Sequence, residues 1–429
     1  MASYNLSVFA LLMTITIFLS PSESIQLPFG LGPIFQPGST TGSDSYPIGF
    51  TLRHVFHHGT EQYPDLHKRL DVPSTFHTSG AGGAAFKLSS VTRTVTRMVD
   101  RDPDTMESYL AWARKAGTKA ADAAAADFDW IHEQIPTPNV TDRETLVAMS
   151  KMTANAYVSI PDTDNWLDVG GPYNESSGFG WEASGIRGHI FADETNSTVV
   201  ISIKGTSAAL FDSDGDTSPS DKTNDNLLFS CCCARISYMW KTVCDCYDST
   251  YTCKQDCVED ALYSEDRYYR GLLDIYRNTT SLYPGANIWL AGHSLGGSMA
   301  ALLGRTYALP TIAVEAPPER LAAHRLHLPF PPIPTEDEMI WHIGNTADPI
   351  FMGVCNGPSS ICWMGGYAME TQCHSGLSCI YDTVNDLSWR LSTSAHRIRA
   401  VIEMMEAYNS TPSCIPTTEC VDCFDWEFI

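Results

Sequence analysis

The residues Gly292-His293-Ser294-Leu295-Gly296 follow the apolar run Asn287-Ile288-Trp289-Leu290-Ala291 and precede Gly297 to Arg305, a stretch of small and apolar residues with helical character. A serine at such a strand-to-helix turn has its hydroxyl lifted clear of the sheet, and only small neighbours permit so sharp a turn. Ser294 is therefore the expected nucleophile, and the chemistry it offers is attack on an acyl carbonyl.

A serine hydroxyl attacks only when a base takes its proton, and the base needs a carboxylate to fix its tautomer and to stabilise the imidazolium that forms. After a turn of this kind the partners follow in the order Ser, Asp or Glu, His. Downstream lie Asp337, Asp348, Asp382, Asp386, Asp422 and Asp425. Asp348 is the best placed: Met339-Ile340-Trp341-His342-Ile343 reads as a strand, and Asn345-Thr346-Ala347-Asp348-Pro349 as the loop at its carboxyl end, where α/β sheets carry their sites. Among the histidines, His342 falls inside that strand, His324 and His327 lie in a Pro-flanked loop, and His374 lies among cysteines. His396, entering the helical stretch Arg397 to Met405, is the expected base. The oxyanion needs donors aimed at it: the backbone N–H of Leu295 supplies one. Thr206, at the end of Thr198-Val199-Val200-Ile201-Ser202-Ile203-Lys204-Gly205, is expected to supply the second through its N–H, with its hydroxyl as a further donor.

These residues need a scaffold. Trp181 to Ala192 and Ser197 to Lys204 read as paired strands joined by Asp193-Glu194-Thr195-Asn196, and Ala261 to Tyr283 as a helix leading to the strand before Ser294. Thr141-Asp142-Arg143-Glu144 forms a capping box, followed by Leu146, Met149, Met152, Thr153, Ala156 and Tyr157 along one helical face. Asp104 to Asp129 is Ala-rich, with Met106, Tyr109, Leu110 and Ala113 at helical spacing, whereas residues 25 to about 60, with His54, His57 and His58, read as irregular. Alternating strands and helices imply an α/β fold with a mostly parallel central sheet flanked by helices. The expected division is a segment 1–24, an N-terminal region 25–138, a catalytic domain 139–408 with a cysteine-rich insertion at 207–260, and a tail 409–429.

With 429 residues and 43% hydrophobic content the chain can bury a large core. Its formal charge of −23 argues against nucleic acid as a partner, because binding phosphates takes Lys and Arg. Protonating all 13 histidines near pH 5 would bring that charge to about −10 and weaken repulsion from anionic membranes. Fourteen cysteines, an even number, lie between residues 231 and 423, near the sequons at Asn139, Asn174, Asn196, Asn278 and Asn409. Both features point to an oxidising, lumenal compartment and a disulfide-stapled insertion. Cys244-x-Cys246 and Cys253-x3-Cys257 lack the paired knuckles of a zinc site, and Asp212-Ser213-Asp214-Gly215-Asp216 departs from a calcium loop at Thr217 and Thr223, so no metal and no cofactor is expected. No charged side chain occurs from Met1 to Ser22, and Leu6 to Leu19 is nearly all apolar, which reads as a signal or a single membrane anchor, with Ser22-x-Ser24 open to cleavage.

Lys204-Gly205-Thr206, Gly292-His293-Ser294-Leu295-Gly296-Gly297, Asp348-Pro349 and His396, in that order, resemble the class 3 lipases. Cys231-Cys232-Cys233-Ala234-Arg235-Ile236-Ser237-Tyr238, Cys244-Asp245-Cys246-Tyr247 and Gly188-His189-Ile190-Phe191 are similar, more narrowly, to the fungal autophagy-related vacuolar lipases. The resemblance implies an α/β-hydrolase fold and a phospholipase that disintegrates autophagic bodies and other intravacuolar vesicles. It also implies a type II membrane glycoprotein travelling through endoplasmic reticulum, Golgi and multivesicular bodies to the vacuole lumen, with a mobile lid expected after Thr206. Phospholipid membranes and neutral lipid are the expected substrates, and no obligate protein partner follows. The alternatives are a secreted soluble triacylglycerol lipase or esterase, and an inactive hydrolase fold that binds in the lumen.

Overall fold

Thr198–Ile203 is buried along its whole length and Asn287–His293 nearly so, as strands covered on both faces must be. The two pair in parallel from Thr198 with Asn287 to Ile203 with Gly292. The structure, a computed structural model, describes residues 48–58, 67–72, 86–157, 185–207, 218–235, 240–264, 266–331, 334–357, 359–417 and 420–429.

In chain order the elements begin with strands β1 (Ile48–His58), β2 (His67–Asp71), β3 (Phe86–Leu88) and β4 (Ser90–Met98). Helices α1 (Pro103–Ala116) and α2 (Thr118–Ala126), strand β5 (Trp130–Pro138) and helix α3 (Arg143–Asn155) follow. Next come β6 (Ile186–Asp193), β7 (Thr198–Ile203), α4 (Ser218–Phe229), β8 (Tyr247–Ser249), β9 (Thr252–Cys253), α5 (Gln255–Leu262) and α6 (Tyr268–Leu282). The last third holds β10 (Asn287–His293), α7 (Leu295–Tyr307), β11 (Thr311–Val314), α8 (Arg320–Arg325), β12 (Ile340–Asn345), α9 (Ile361–Gly365) and β13 (Leu377–Tyr381). Helices α10 (Thr383–Asp386) and α11 (Ile398–Ala407) and strands β14 (Cys414–Pro416) and β15 (Glu427–Phe428) close the chain.

Among the described residues ten strands form one sheet, in the order β14-β13-β12-β11-β10-β7-β6-β1-β2 with β3 also on β1. Strands β7, β10, β11, β12 and β13 are parallel. The flanking pairs are antiparallel, so the sheet is mixed, a parallel centre with antiparallel wings. Alternate residues of the centre feed two cores. Ile288 and Leu290 pack with Leu272 and Ile275 of α6 and with Met299 and Leu302 of α7, whereas Trp289 and Ala291 pack with Leu146 and Met149 of α3 and with Val401 and Met405 of α11. Complete burial of each large side chain contributes about 1.5–3 kcal/mol, so the period-two pattern of β10 commits helices to both faces.

Several expectations need correcting. The stretch read as irregular up to residue 60 holds β1, the partner of β6; a register shift between Leu52 and His54 breaks its alternation, so Phe50 and Leu52 and then Val55, Phe56 and His57 are the buried residues. Together with β2 and β3 it extends the sheet ahead of the capping box. The helix read over Asp104 to Asp129 is two helices divided at Gly117, and the one read over Ala261 to Tyr283 is likewise divided between α5 and α6. The N-cap of α3 is Asp142, which accepts from Thr145 N–H at 3.2 Å, while the Thr141 hydroxyl donates to Asn139 Oδ1 at 2.7 Å.

All fourteen cysteines are paired, as expected of an oxidising compartment. Cys232–Cys253, Cys233–Cys244 and Cys246–Cys257 staple the insertion, which removes its cysteines from metal chemistry. Cys355–Cys362 closes a short loop, while Cys379–Cys414, Cys373–Cys420 and Cys231–Cys423 fasten the tail to the body. Among the described residues no helix is long and apolar enough to cross a membrane. The N-terminal segment 1–24, the calcium-like loop Asp212 to Asp216 and the sequon at Asn174 lie outside the described residues.

Candidate active site

Strand β10 delivers Ser294 at a backbone conformation of φ 56° and ψ −134°, which a non-glycine residue adopts at a cost of roughly 1–3 kcal/mol. Neighbouring contacts hold it there. Ser294 N–H donates to Val314 O at 3.0 Å, and its carbonyl accepts from Gly297 N–H at 2.8 Å as α7 begins. A side chain at Gly296 would put its Cβ 2.3 Å from Ile203 O, so the turn closes against β7 only with glycine there. Leu295 is the first residue of α7, so its N–H is one of the donors for which a helix has no internal partner.

The side chains named from the sequence meet. His396, in a short 3-10 turn before α11, places Nε2 2.8 Å from Ser294 Oγ and Nδ1 2.6 Å from Asp348 Oδ2. Asp348 lies on the turn after β12, and its Oδ1 accepts from Ile350 N–H at 2.9 Å. Ser294 is 2% exposed and both partners are fully buried. Burial alone would push the Asp348 carboxyl up, but the adjoining imidazole, helped by hydrogen bonds from Glu315 and Ile350, holds it below its ordinary range. The pair is therefore poised to hold a proton on His396 Nδ1 and a charge on Asp348.

The remaining acids and histidines are engaged elsewhere. Asp382 caps α10, Asp386 accepts from the Tyr408 hydroxyl, Asp422 accepts from Gln372 N–H, and Asp337 ends a 3-10 turn. His327 bonds Glu259 at 2.9 Å, His324 stacks on Phe330, and His342 and His374 flank Glu319.

Three further acids and a histidine complete the surroundings and escaped the sequence reading. Glu315, following β11 at φ 43°, is buried, accepts from Asn345 Nδ2 at 2.6 Å and hydrogen-bonds Asp348. Burial, then the Asp348 charge, pushes its carboxyl well above the usual range, so it is a protonated donor to Asp348. His293 donates from Nε2 to His396 O at 2.8 Å, and that carbonyl can only accept, so Nδ1 accepts from the Tyr157 hydroxyl at 2.7 Å. Burial pushes His293 down to about 3, so it stays neutral and orients the backbone of His396. Asp225 on α4 accepts at Oδ2 from the Thr206 hydroxyl at 2.7 Å. One helical turn earlier Asp221 accepts from Ser207 N–H at 2.7 Å and from Lys204 Nζ at 3.3 Å, so two acidic side chains on one face of α4 hold the Lys204-Gly205-Thr206-Ser207 loop. That loop touches the nucleophile: a Cβ on Gly205 would lie 3.1 Å from Ser294 Cβ. The spacing of Asp221 and Asp225 is readable in the sequence, but nothing local links them to Thr206.

Of the sequons, Asn196 and Asn409 are exposed, Asn139 is half-buried, and Asn278 sits within α6 with its amide donating to Asp274 O at 2.9 Å.

Residues 233–312, which include Ser294, match the family described as lipase (class 3). The chain is 52% identical over 406 residues to "Putative lipase ATG15" of Yarrowia lipolytica, covering 89% of this chain and 73% of that protein. It is 49% identical over 403 residues to the protein of the same name from Pichia angusta, covering 89% and 74%. A solved lipase of Rhizopus microsporus var. chinensis aligns over 59% of this chain and 85% of its own at 13% identity, with a TM-score of 0.31.

Proposed function

The chain belongs to the ATG15 family of class 3 lipases, and from that premise we propose that Ser294, His396 and Asp348 perform its ester hydrolysis, with membrane phospholipid as substrate. The observation that carries the reading is the continuous relay of 2.8 Å and 2.6 Å from a strained serine through His396 to Asp348.

Ser294 Oγ attacks the ester carbonyl while His396 Nε2 takes its proton, and Asp348 stabilises the imidazolium through Nδ1–H. The carbonyl oxygen becomes an oxyanion that accepts from the N–H groups of Leu295 and Thr206. The Thr206 hydroxyl is committed to Asp225, so in our reading its role is to fix the loop that presents the N–H. Collapse of the intermediate returns the proton from His396 to the departing glycerol oxygen and leaves an acyl-serine. Water, deprotonated by His396, then releases the fatty acid.

Delivery to the vacuole lumen is part of the proposal: seven disulfides and the exposed sequons at Asn196 and Asn409 suit passage through an oxidising secretory route. Residues 1–24 would act as signal or anchor, which the mass of the mature N-terminus decides.

The test is product analysis on vesicles of mixed phospholipid and triacylglycerol at pH 5 and pH 7, alongside fluorophosphonate labelling. We expect lysophospholipid and fatty acid, both lost with the label in Ser294→Ala. Fatty acid from triacylglycerol alone would overturn the phospholipase assignment, and labelling retained in Ser294→Ala would overturn the nucleophile.

A further inference from the structure

We propose that Glu319, His342 and His374 bind one divalent transition-metal ion, zinc by the chemistry of the donors. The three come from different elements: Glu319 from the residue before α8, His342 from the middle of β12, and His374 from the loop before β13. Glu319 and His342 are fully buried and His374 is 6% exposed. His342 Nε2 lies 3.3 Å from Glu319 Oε1, and His374 Nδ1 lies 3.8 Å from Glu319 Oε2.

His374 Nε2 lies 3.0 Å from Phe351 O, an obligate acceptor, so Nε2 holds a hydrogen and Nδ1 is the ring nitrogen left on the Glu319 side. Glu319 Oε1 is fixed by the Ser375 hydroxyl and by Ser375 N–H at 3.3 Å. His342 Nδ1 and Nε2, His374 Nδ1 and Glu319 Oε2 make no hydrogen bond among the described residues. Buried polar atoms left this way are costly, and one nitrogen of each imidazole lies beside the Glu319 carboxylate.

A cation satisfies them together. One ligand atom from each residue lies within 4.8 Å of the others, and ligands about 2.0–2.1 Å from a tetrahedral ion stand about 3.3 Å apart, close to the two separations above. Two imidazoles and a carboxylate suit zinc, and a backbone carbonyl taking the second ring N–H of a ligating histidine is the usual support of such a site. Phe351 is three residues beyond Asp348, so the ion would tie the Asp348 turn to the sheet through His374. The residues are too far apart in sequence for any ligand spacing to reveal them.

The experiment uses the full-length glycosylated chain, purified without chelator, equilibrated with zinc and then desalted. Elemental analysis should give about one zinc per chain, falling at least about fivefold in His342→Gln and in His374→Gln. Cobalt should replace zinc in the wild-type chain with the visible absorption of a tetrahedral site, which needs no variant to fold. Chelation should lower Tm by a few degrees and zinc should restore it. A wild-type chain that retains under about 0.1 zinc per chain, or variants that retain as much as wild type, would overturn the assignment.

Discussion

Replacing Glu315 by glutamine tests the electrostatics of the site without changing its shape. The amide side chain of the Glu315→Gln variant would keep an oxygen for Asn345 Nδ2 and offer an N–H to Asp348, as the protonated carboxyl does. The wild-type group differs in one respect. In the unfolded chain it ionises near 4.5, whereas burial and the Asp348 charge raise its native pKa well above that value. Such a group contributes stability that is fully present below the unfolded pKa and is lost as pH rises towards the native one. While the native carboxyl stays protonated the loss is on the order of 1 kcal/mol per pH unit, so the wild-type chain should fall steadily in stability relative to Glu315→Gln as pH rises from 5 towards 7. Urea unfolding of both proteins, disulfides intact, at pH 5, 6 and 7 reads that difference directly, because every other titration cancels. A stability difference that stays constant over those two units refutes a protonated Glu315. A Glu315→Ala variant, which strands Asn345 Nδ2, should be less stable at every pH.

The site makes three further expectations. In the proposed mechanism Thr206→Val keeps the backbone donor but frees its loop from Asp225, so kcat should fall by less than the roughly hundred- to thousandfold of a deleted donor, with little change in KM; steady-state kinetics on a soluble ester checks this. Gly205→Ala would drive a Cβ to 2.1 Å from the Tyr157 hydroxyl and 2.3 Å from His293 O, and should cost about 1–3 kcal/mol in a thermal melt along with most activity. Removing Cys231–Cys423, which spans 192 residues, through a double Ser variant should cost about 2–5 kcal/mol by urea unfolding while the other six bridges remain by mass.

The chemistry is legible because its signals are local. A serine between glycines after an apolar run, an Asp-Pro loop after a strand and a histidine at a helix entry are each written in a few adjacent residues. Their chain order then limits which of them can meet. Strand β1 escapes a sequence reading because its register shift destroys the alternation that marks a half-buried strand. The capping residue of α3 slips by one because Thr141 and Asp142 both offer a side-chain oxygen, and the Thr141 hydroxyl is taken by Asn139.

Residue types and chain order alone were thus enough to point to a lipase and to single out a serine, a histidine and an aspartate that the fold brings together. Only the tertiary structure decided that Glu315 protonates against Asp348, that Asp225 holds Thr206, which cysteines pair, and that Glu319, His342 and His374 converge. The Thr206–Asp225 bond and the Cys231–Cys423 bridge join groups 19 and 192 residues apart, brought together by strand order and helix packing. A local pattern records what a residue can do, whereas burial and long-range proximity decide its charge and its partner.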